Sequence, residues 1–470
     1  MLSLNSQHSP LNKSLPLRGR LGGGFFLIMM MGSSVFAQEQ LPTDTLSQTT
    51  QPTENINHFT LDLDFQSRGE LRNGGLPGGN GDQKADDDRS SFIFGRTRLI
   101  LDYERDWLQA KVNVQHAAIW GDTEDGSFSL YEAWVKMQSK KGWFAQIGRQ
   151  ILSYDDERII GSNDWAMAAN SHDALRLGYE HKWHKAHLIL AYNQNNDNTN
   201  EGGNFFDADN GYQPYKSMIT AWYHYDVPHF PLRMSLLFMN VGMQYGEKGV
   251  NDKTCFQQLF GGYVSFNPKR WLIEASYYRQ AGREEHDMKL KTWMASGKVT
   301  YTPSNIYSIE AGYDYLSGDK YFFVPPSGQI GLVQHKEIRG FNPVFGTHHK
   351  FYGAMEFFYV DTYYGGFTPG MQNAFIGAHI TPISNLDIHA DYHYYATGTK
   401  ISKLDMTLGH GLELEADYTI IKDIKVSAGF SFMTGTKTME QLRRASDDGW
   451  LRWAWLSVNI SPRIFSAKWR

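Results

Sequence analysis

From about residue 91 to the C-terminus, apolar and polar side chains alternate with a period of two. In Asn385–Tyr395 (NLDIHADYHYY), Leu386, Ile388, Ala390, Tyr392 and Tyr394 fall on one face of an extended strand, and Asp387, His389, Asp391 and His393 on the other. A strand of a soluble sandwich alternates too, but here long, tyrosine-rich segments repeat the pattern over more than 350 residues. One face suits lipid and the other suits water. The pattern predicts an all-β fold, a transmembrane antiparallel β-barrel.

Connections of two kinds separate the strand candidates. Tight ones include Glu104-Arg105-Asp106, Lys140-Lys141-Gly142, Asn267-Pro268-Lys269, Thr302-Pro303-Ser304-Asn305, Pro382-Ile383-Ser384-Asn385 and Lys422-Asp423, and read as short periplasmic turns. Long ones, Gly69–Arg89, Asn195–Gln213, Gly318–Gly346 and Gly435–Gly449, are rich in Gly, Asp or Asn and read as extracellular loops. About nineteen extended segments can be counted. A single-chain barrel with both termini in the periplasm needs an even number. Placing His348–Tyr359 inside one large extracellular excursion restores the short/long alternation and leaves about 18 strands, enough for a water-filled lumen.

Ahead of the barrel, Lys13, Arg18 and Arg20 precede the apolar run Gly22–Ala37, which is shorter than the roughly 20 residues a spanning helix needs. With Val35-Phe36-Ala37 at its end, residues 1–37 read as a signal peptide cleaved before Gln38. Residues 38–55, polar and rich in Thr, Gln and Pro, read as a flexible periplasmic leader, and 56–470 as the barrel. Aromatic content of 14% against a mean hydropathy of −0.47 fits aromatic girdles at both membrane interfaces; Trp222, Trp453 and Trp455 either line the lumen, with flat faces for sugar rings, or take girdle positions, which explain most such aromatics. Cys255 stands alone, which excludes an internal disulfide and a cysteine-rich metal site. A net charge of −5 without a basic cluster argues against nucleic acid as a partner.

Parity assigns the lumen. Leu99, Leu101 and Tyr103 mark the lipid side, which turns Arg96, Arg98 and Asp102 inward; Val112 and Val114 do the same for Lys111, Asn113 and Gln115. By this rule Glu132, Arg176, Glu180, Glu274, Lys298, Glu310, Asp314, Asp391, Glu413, Glu415, Asp417 and Lys425 also face the lumen. Such charges either pair across strands as a wall ladder or orient a permeating solute. Basic candidates cluster in the N-terminal half and acids from Glu310 to Asp417, which predicts a transverse field.

The stretch Gly148–Leu177 (GRQILSYDDERIIGSNDWAMAANSHDALRL), preceded by Phe94–Leu99 and by Leu130-Tyr131-Glu132-Ala133, resembles the alginate export family of outer-membrane porins. Phe345–Gly353 (FGTHHKFYG) is similar to that family's long-loop motif. The resemblance implies an eighteen-stranded monomeric barrel with an arginine-rich constriction that passes an anionic polysaccharide outward. It places Arg96, Arg98, Arg149, Arg158 and Arg176 at matching motif positions, although simple parity from Phe144 sets Arg149 on the Ile147 side.

Weaker signals complete the picture. His348, His349 and Lys350 in the long loop are candidate ligand contacts. No metal site is expected from His172-Asp173 or from His389 and His393, because i, i+4 positions on one strand stand roughly 13 Å apart and need a third element to share an ion. Gly-x-Ser-x-Gly and His-Glu-x-x-His are missing, so neither catalytic residues nor a cofactor are expected and the chain reads as no enzyme. The expected function is an outer-membrane channel of a Gram-negative bacterium for a hydrophilic, anionic saccharide; a general porin and a plugged, surface-binding barrel are the alternatives. Expected partners are outer-membrane lipid and lipopolysaccharide, the barrel assembly machinery and an anionic oligo- or polysaccharide, with the barrel a monomer.

Overall fold

The computed structural model describes residues 56–73, 90–121, 126–166, 169–193, 215–245, 253–284, 288–319, 337–355, 369–401, 404–443 and 451–470. The signal segment 1–37, the leader 38–55 and the whole loop 195–213 lie outside the described residues, as do parts of the other long loops.

Eighteen antiparallel strands form one closed sheet among the described residues. They are β1 Asn57–Asn73, β2 Ser90–Arg105, β3 Leu108–Ile119, β4 Ser127–Gln138, β5 Trp143–Gln150, β6 His172–His181, β7 His184–Tyr192, β8 Ser217–Asp226 and β9 Leu232–Tyr245. The rest are β10 Lys253–Phe266, β11 Trp271–Gly282, β12 Thr292–Tyr301, β13 Tyr307–Leu316, β14 Met371–Ile383, β15 Leu386–Ala396, β16 Thr407–Ile421, β17 Ile424–Gly435 and β18. Strand β18 runs Leu451–Ile460 and resumes as Arg463–Trp469 past Pro462, which has no N–H to give the ladder but accepts from Leu63 N at 3.1 Å. Each strand pairs with its neighbour in sequence, and β18 closes the ring on β1, from Asn73↔Arg452 to Asn57↔Trp469. Closure leaves no unpaired edge, which a lipid environment demands.

All six predicted tight turns join strands where the alternation placed them. The described part of His348–Tyr359 contains one 3₁₀ turn, His348–Lys350, and no strand, so the count of eighteen holds. One boundary differs: Gly69–Asn73, expected as the start of a loop, continues β1. Arg68, Glu70 and Arg72 keep the two-residue alternation there and point inward, while the backbone stays in register with both β2 and β18.

The outer face carries an apolar band that includes Leu99, Val112, Leu188, Leu236, Ile273, Val299, Ile376 and Leu414, all exposed. At the tight-turn end Trp107, Trp143, Trp183, Phe230, Trp271 and Trp469 form a girdle, and toward the opposite end Trp120, Phe128, Tyr192, Phe256 and Trp293 form a second. Of the two positions open to Trp222, Trp453 and Trp455, the structure has the interior one: all three are buried on inward-facing positions and none is in a girdle. The barrel's hydrophobic core lies within its lumen, where Leu152, Tyr154, Ile159, Ile160, Phe341, Phe345 and Tyr352, all from connections, pack against inward residues such as Met218, Met239, Tyr278 and Met294. A short helix α1, Lys437–Arg443, adds Met439 and Leu442 to the same cluster.

Candidate functional site

Two segments fold into the lumen: 151–171 between β5 and β6, and 337–355 between β13 and β14. They join each other first. Ile160 bridges Phe345 in parallel, with Gly161 N donating to Phe345 O (2.9 Å), Phe345 N to Ile159 O (3.1 Å) and Thr347 N to Glu157 O (2.9 Å). Gly346 is required at this seam, since a Cβ there would meet Arg158 O at 2.3 Å. Non-glycine residues with positive φ concentrate in the pair: Asp155 (56°), Glu157 (66°), Asn163 (46°), Ala169 (53°), Val344 (48°) and Tyr352 (66°). The left-handed region is costly for a β-branched residue such as Val344, so the surrounding contacts must over-determine these conformations.

Those contacts come from the wall. Arg98 Nη1 meets Asp164 Oδ1 at 2.5 Å, while Arg96 Nη1 donates to Asp164 O (2.6 Å) and Ala166 O (3.2 Å). The register of β3 with β4 shifts between Asn113 and Val114, so Tyr131 is the extra residue of a bulge and both it and Glu132 face inward; Arg98 lies over the Tyr131 ring at 4.0 Å. On β1, Arg68 stacks on Trp165 (3.8 Å) and pairs with Glu70 (2.8 Å), which in turn accepts from Trp453 Nε1 (3.1 Å). Across the lumen Asp155 accepts from Trp222 Nε1 (3.1 Å) on β8 and Ser235 Oγ (2.5 Å) on β9, and Gln280 Nε2 on β11 donates to Asn342 O (2.5 Å).

Arg158 is the central tie. It pairs with Asp314 of β13 (3.0 Å) and with Asp156 (3.1 Å), donates to Tyr352 Oη (3.0 Å) and stacks on Phe351 (3.9 Å). Burial alone would lower its pKa, but Asp314, Tyr352 and Asp156 raise it well above the ordinary guanidinium value. Arg158 is a fixed cation that joins both segments to the wall.

The remaining predicted residues sort into ladders and exceptions. Lys111 pairs with Glu132 (3.2 Å), Lys298 with Glu274 (3.2 Å) and Glu310 (3.7 Å), and Lys425 with Asp417 (3.4 Å); Arg176 donates to Gln146 (2.6 Å). These are cross-strand pairs of the inner wall. Glu415 stands opposite His389 across β15 and β16.

Arg149 is corrected out of the lumen: its register shows no shift across Gly148, so it stays on the Ile147 face and pairs with Asp173 at 2.7 Å. His349 is corrected from a ligand contact to an internal packing group, 3% exposed, with its ring stacked on Trp165 (5.9 Å) and burial, Arg68 and Arg72 pushing its pKa well below the imidazole range. Lys350 reaches Glu157 at 3.7 Å, and the side chain of His348 lies outside the described residues. His389 and His393 do not share a site. They fall into two groups, Glu310-His389-Asp391 and Asp391-His393-Glu413, whose third members come from β13, two strands away, and from the adjacent β16. Parity could not find Asp155, Asp164 or Trp165, which act through a fold-in with no period; their sign in the sequence is that they lie within Gly148–Leu177, the stretch that resembles the family motif.

By charge the inner wall is uneven: strands β13–β16 carry Glu310, Asp314, Asp391, Glu413, Glu415 and Asp417 and no lysine or arginine, whereas on β1–β6 Arg68, Arg72, Arg96, Arg98, Lys111 and Arg176 are interleaved with Asp64, Glu70, Asp102, Glu132 and Glu180.

A sequence family described as alginate export matches residues 106–405. No curated protein matches the chain by sequence. Among solved structures, Acinetobacter baumannii OccAB1 is similar at a TM-score of 0.57 and 10% identity, covering 87% of this chain and 97% of its own. Pseudomonas aeruginosa OccK2 (OpdF) gives 0.57 and 13%, with 87% and 98% covered. The outer membrane protein OprD from Pseudomonas aeruginosa gives 0.54 and 12%, with 86% and 94% covered. At these identities the likeness is one of fold.

Proposed function

The chain belongs to the alginate export family of outer-membrane channels and is not an enzyme, and on that premise we propose that it passes hydrophilic, anionic saccharides along the arginine-bearing side of its lumen, away from the acidic strands β13–β16. One observation carries this reading: Arg68, Arg72, Arg96 and Arg98 stack on the inner faces of the adjacent strands β1 and β2, all buried and held in place by aromatic rings or ion pairs. Planar guanidinium groups recognise carboxylates in a bidentate way, and a row of them, once exchanged from the internal carboxylates that hold it, offers a sugar acid successive sites rather than one deep trap. A barrel of the same fold, OccK2, has been crystallised in complex with glucuronate, a sugar acid.

In this reading Arg96, Arg98, Lys111, Arg158 and Arg176 set the sign of the solute, and the acidic residues of β13–β16 repel its carboxylates toward the basic side. The barrel works as a monomer, placed by the barrel assembly machinery beside lipopolysaccharide.

A second reading is favoured by the inward segments themselves. Because 151–171 and 337–355 meet inside the lumen and engage Arg96, Arg98 and Arg158, the barrel as folded fits a porin for small solutes. Reversal potential in a planar bilayer under a salt gradient, with and without polyuronate oligomers, separates the two. Anion selectivity with block by the oligomers supports the saccharide channel; cation selectivity without block overturns it.

A further inference from the structure

Three acceptor groups converge on the inner wall where β15 meets β16. One ligand atom each from Asp391, His393 and Glu413 lies within 4.8 Å of the others, with His393 Nε2 3.9 Å from Glu413 Oε2. The tautomer of His393 is set from behind. Asn373 on β14 gives its amide N–H to Asp314 Oδ2 (2.9 Å), which turns Asn373 Oδ1 to His393 Nδ1 (2.8 Å). Nδ1 therefore carries the proton of a neutral ring, and Nε2 presents a lone pair to the two carboxylates. A ligating histidine is oriented in this way, by a hydrogen bond on its other nitrogen.

The carboxylates are also arranged for something absent from the polypeptide. Asp391 Oδ2 takes His389 Nε2 at 3.1 Å, but Asp391 Oδ1 is enclosed and has no hydrogen-bond partner. Room for that oxygen comes from Gly377 on β14, where a Cβ would stand 2.0 Å from it. Glu413 Oε1 accepts the backbone N–H of Ala354 from the inward segment, leaving Oε2 for the cluster. Two carboxylate oxygens and an imidazole lone pair so close repel each other unless a bound cation or a retained proton stands between them.

We propose that Asp391, His393 and Glu413 bind one divalent transition-metal ion of the Zn²⁺ class, which through Glu413 ties segment 337–355 to the barrel wall. Two oxygens and one imidazole nitrogen match a three-ligand zinc site with an open fourth position. Bonds of about 2.0–2.1 Å put tetrahedral ligands roughly 3.3 Å apart, so the pair at 3.9 Å closes by about half an ångström on binding. The site is independent of which solute the channel carries.

The test is calorimetric titration of the purified full-length barrel in detergent with ZnCl₂, and with CoCl₂ followed by visible absorption. One ion per barrel is expected, with intense Co²⁺ bands between tetrahedral and five-coordinate character. His393→Gln and Asp391→Asn should each weaken binding at least tenfold. Gly377→Ala, which displaces the Asp391 carboxylate without touching a ligand, should do so as well. Far-UV circular dichroism and heat-modifiable migration establish that each variant is folded. Absence of saturable binding to the wild-type barrel overturns the proposal. So does binding that survives His393→Gln but is lost in Glu310→Gln, which places the ion in the neighbouring group.

Discussion

Asp164 lies 2.5 Å from Arg98, so the counter-ion of a guanidinium on the β2 wall is a carboxylate carried in by segment 151–171. Arg96 holds the same residue through its backbone carbonyl, and both arginines also face Asp64 at 3.5 and 3.8 Å. The charge that fixes the segment is thus the charge proposed to select the solute. Asp164→Ala removes one negative charge and the close partner of Arg98, leaving Asp64 as the shared counter-ion of both arginines, and should move the reversal potential toward stronger anion preference while raising single-channel conductance. Arg96→Glu with Arg98→Glu should move it the other way. Identical selectivity in all three proteins would show that this pair lies off the conducting path.

Arg158 presents the opposite balance, a buried cation whose removal strands buried anions. Its side chain is 6% exposed and that of its partner Asp314 2%. Breaking such a pair from one side costs about 3–5 kcal/mol, because the remaining charge has neither water nor partner. Arg158→Met should therefore release the two segments from each other and from β13 while the strand ladder persists. Limited trypsin digestion reads this: cleavage after Lys350 should become at least tenfold faster, with the barrel still heat-modifiable. Unchanged protection of Lys350 would mean that the Ile160–Phe345 seam alone holds the pair.

Alternation made the barrel wall legible and left its contents hidden. Leu99 and Arg98 show why. A period of two puts neighbours on opposite faces, and a lipid face tolerates only one of them, so parity alone separates a residue that is 45% exposed from one that is 4% exposed. The same rule left Arg149 with Ile147, where the structure keeps it. It placed Glu132 correctly but could not foresee that a bulge brings Tyr131 in beside it. Inside the lumen the rule has nothing to act on. Segments 151–171 and 337–355 are aperiodic, and their contacts are set by each other, 194 positions apart between Arg158 and Tyr352, and by distant wall residues such as Trp455, which packs on Trp165. The resemblance of both segments to family motifs marked them as important, but a row of arginines reads the same whether it faces solute or a folded-in carboxylate.

The wall assignment itself can be tested at the residue next to Arg98. Leu99→Arg places a guanidinium on the lipid face near the middle of β2, where an arginine costs about 2–4 kcal/mol. Guanidinium titration of the barrel in liposomes should show this loss with unchanged slope. A cost under about 1 kcal/mol would place Leu99 near an interface and shift the whole hydrophobic band along the strands.

Proton uptake by Asp155 should regulate the hold of the inward segment. Burial is the main reason its pKa rises from 3.8 to about 6; the hydrogen bonds from Ser235 and Trp222 oppose the rise and the charge of Asp156 adds to it. A pKa raised in the docked state means that docking favours the protonated form. The stabilisation is complete below about 3.8 and is lost as pH rises through about 6, so docking of 151–171 against β8 and β9 weakens between those values and is weakest above them. Single-channel recordings should accordingly show fewer and shorter high-conductance events at pH 5 than at pH 7.5. Asp155→Asn keeps an acceptor for Trp222 and Ser235 but cannot ionise, so it should show the pH 5 behaviour at both values. A pH step that persists in Asp155→Asn would assign the response to another group and overturn this account of the segment.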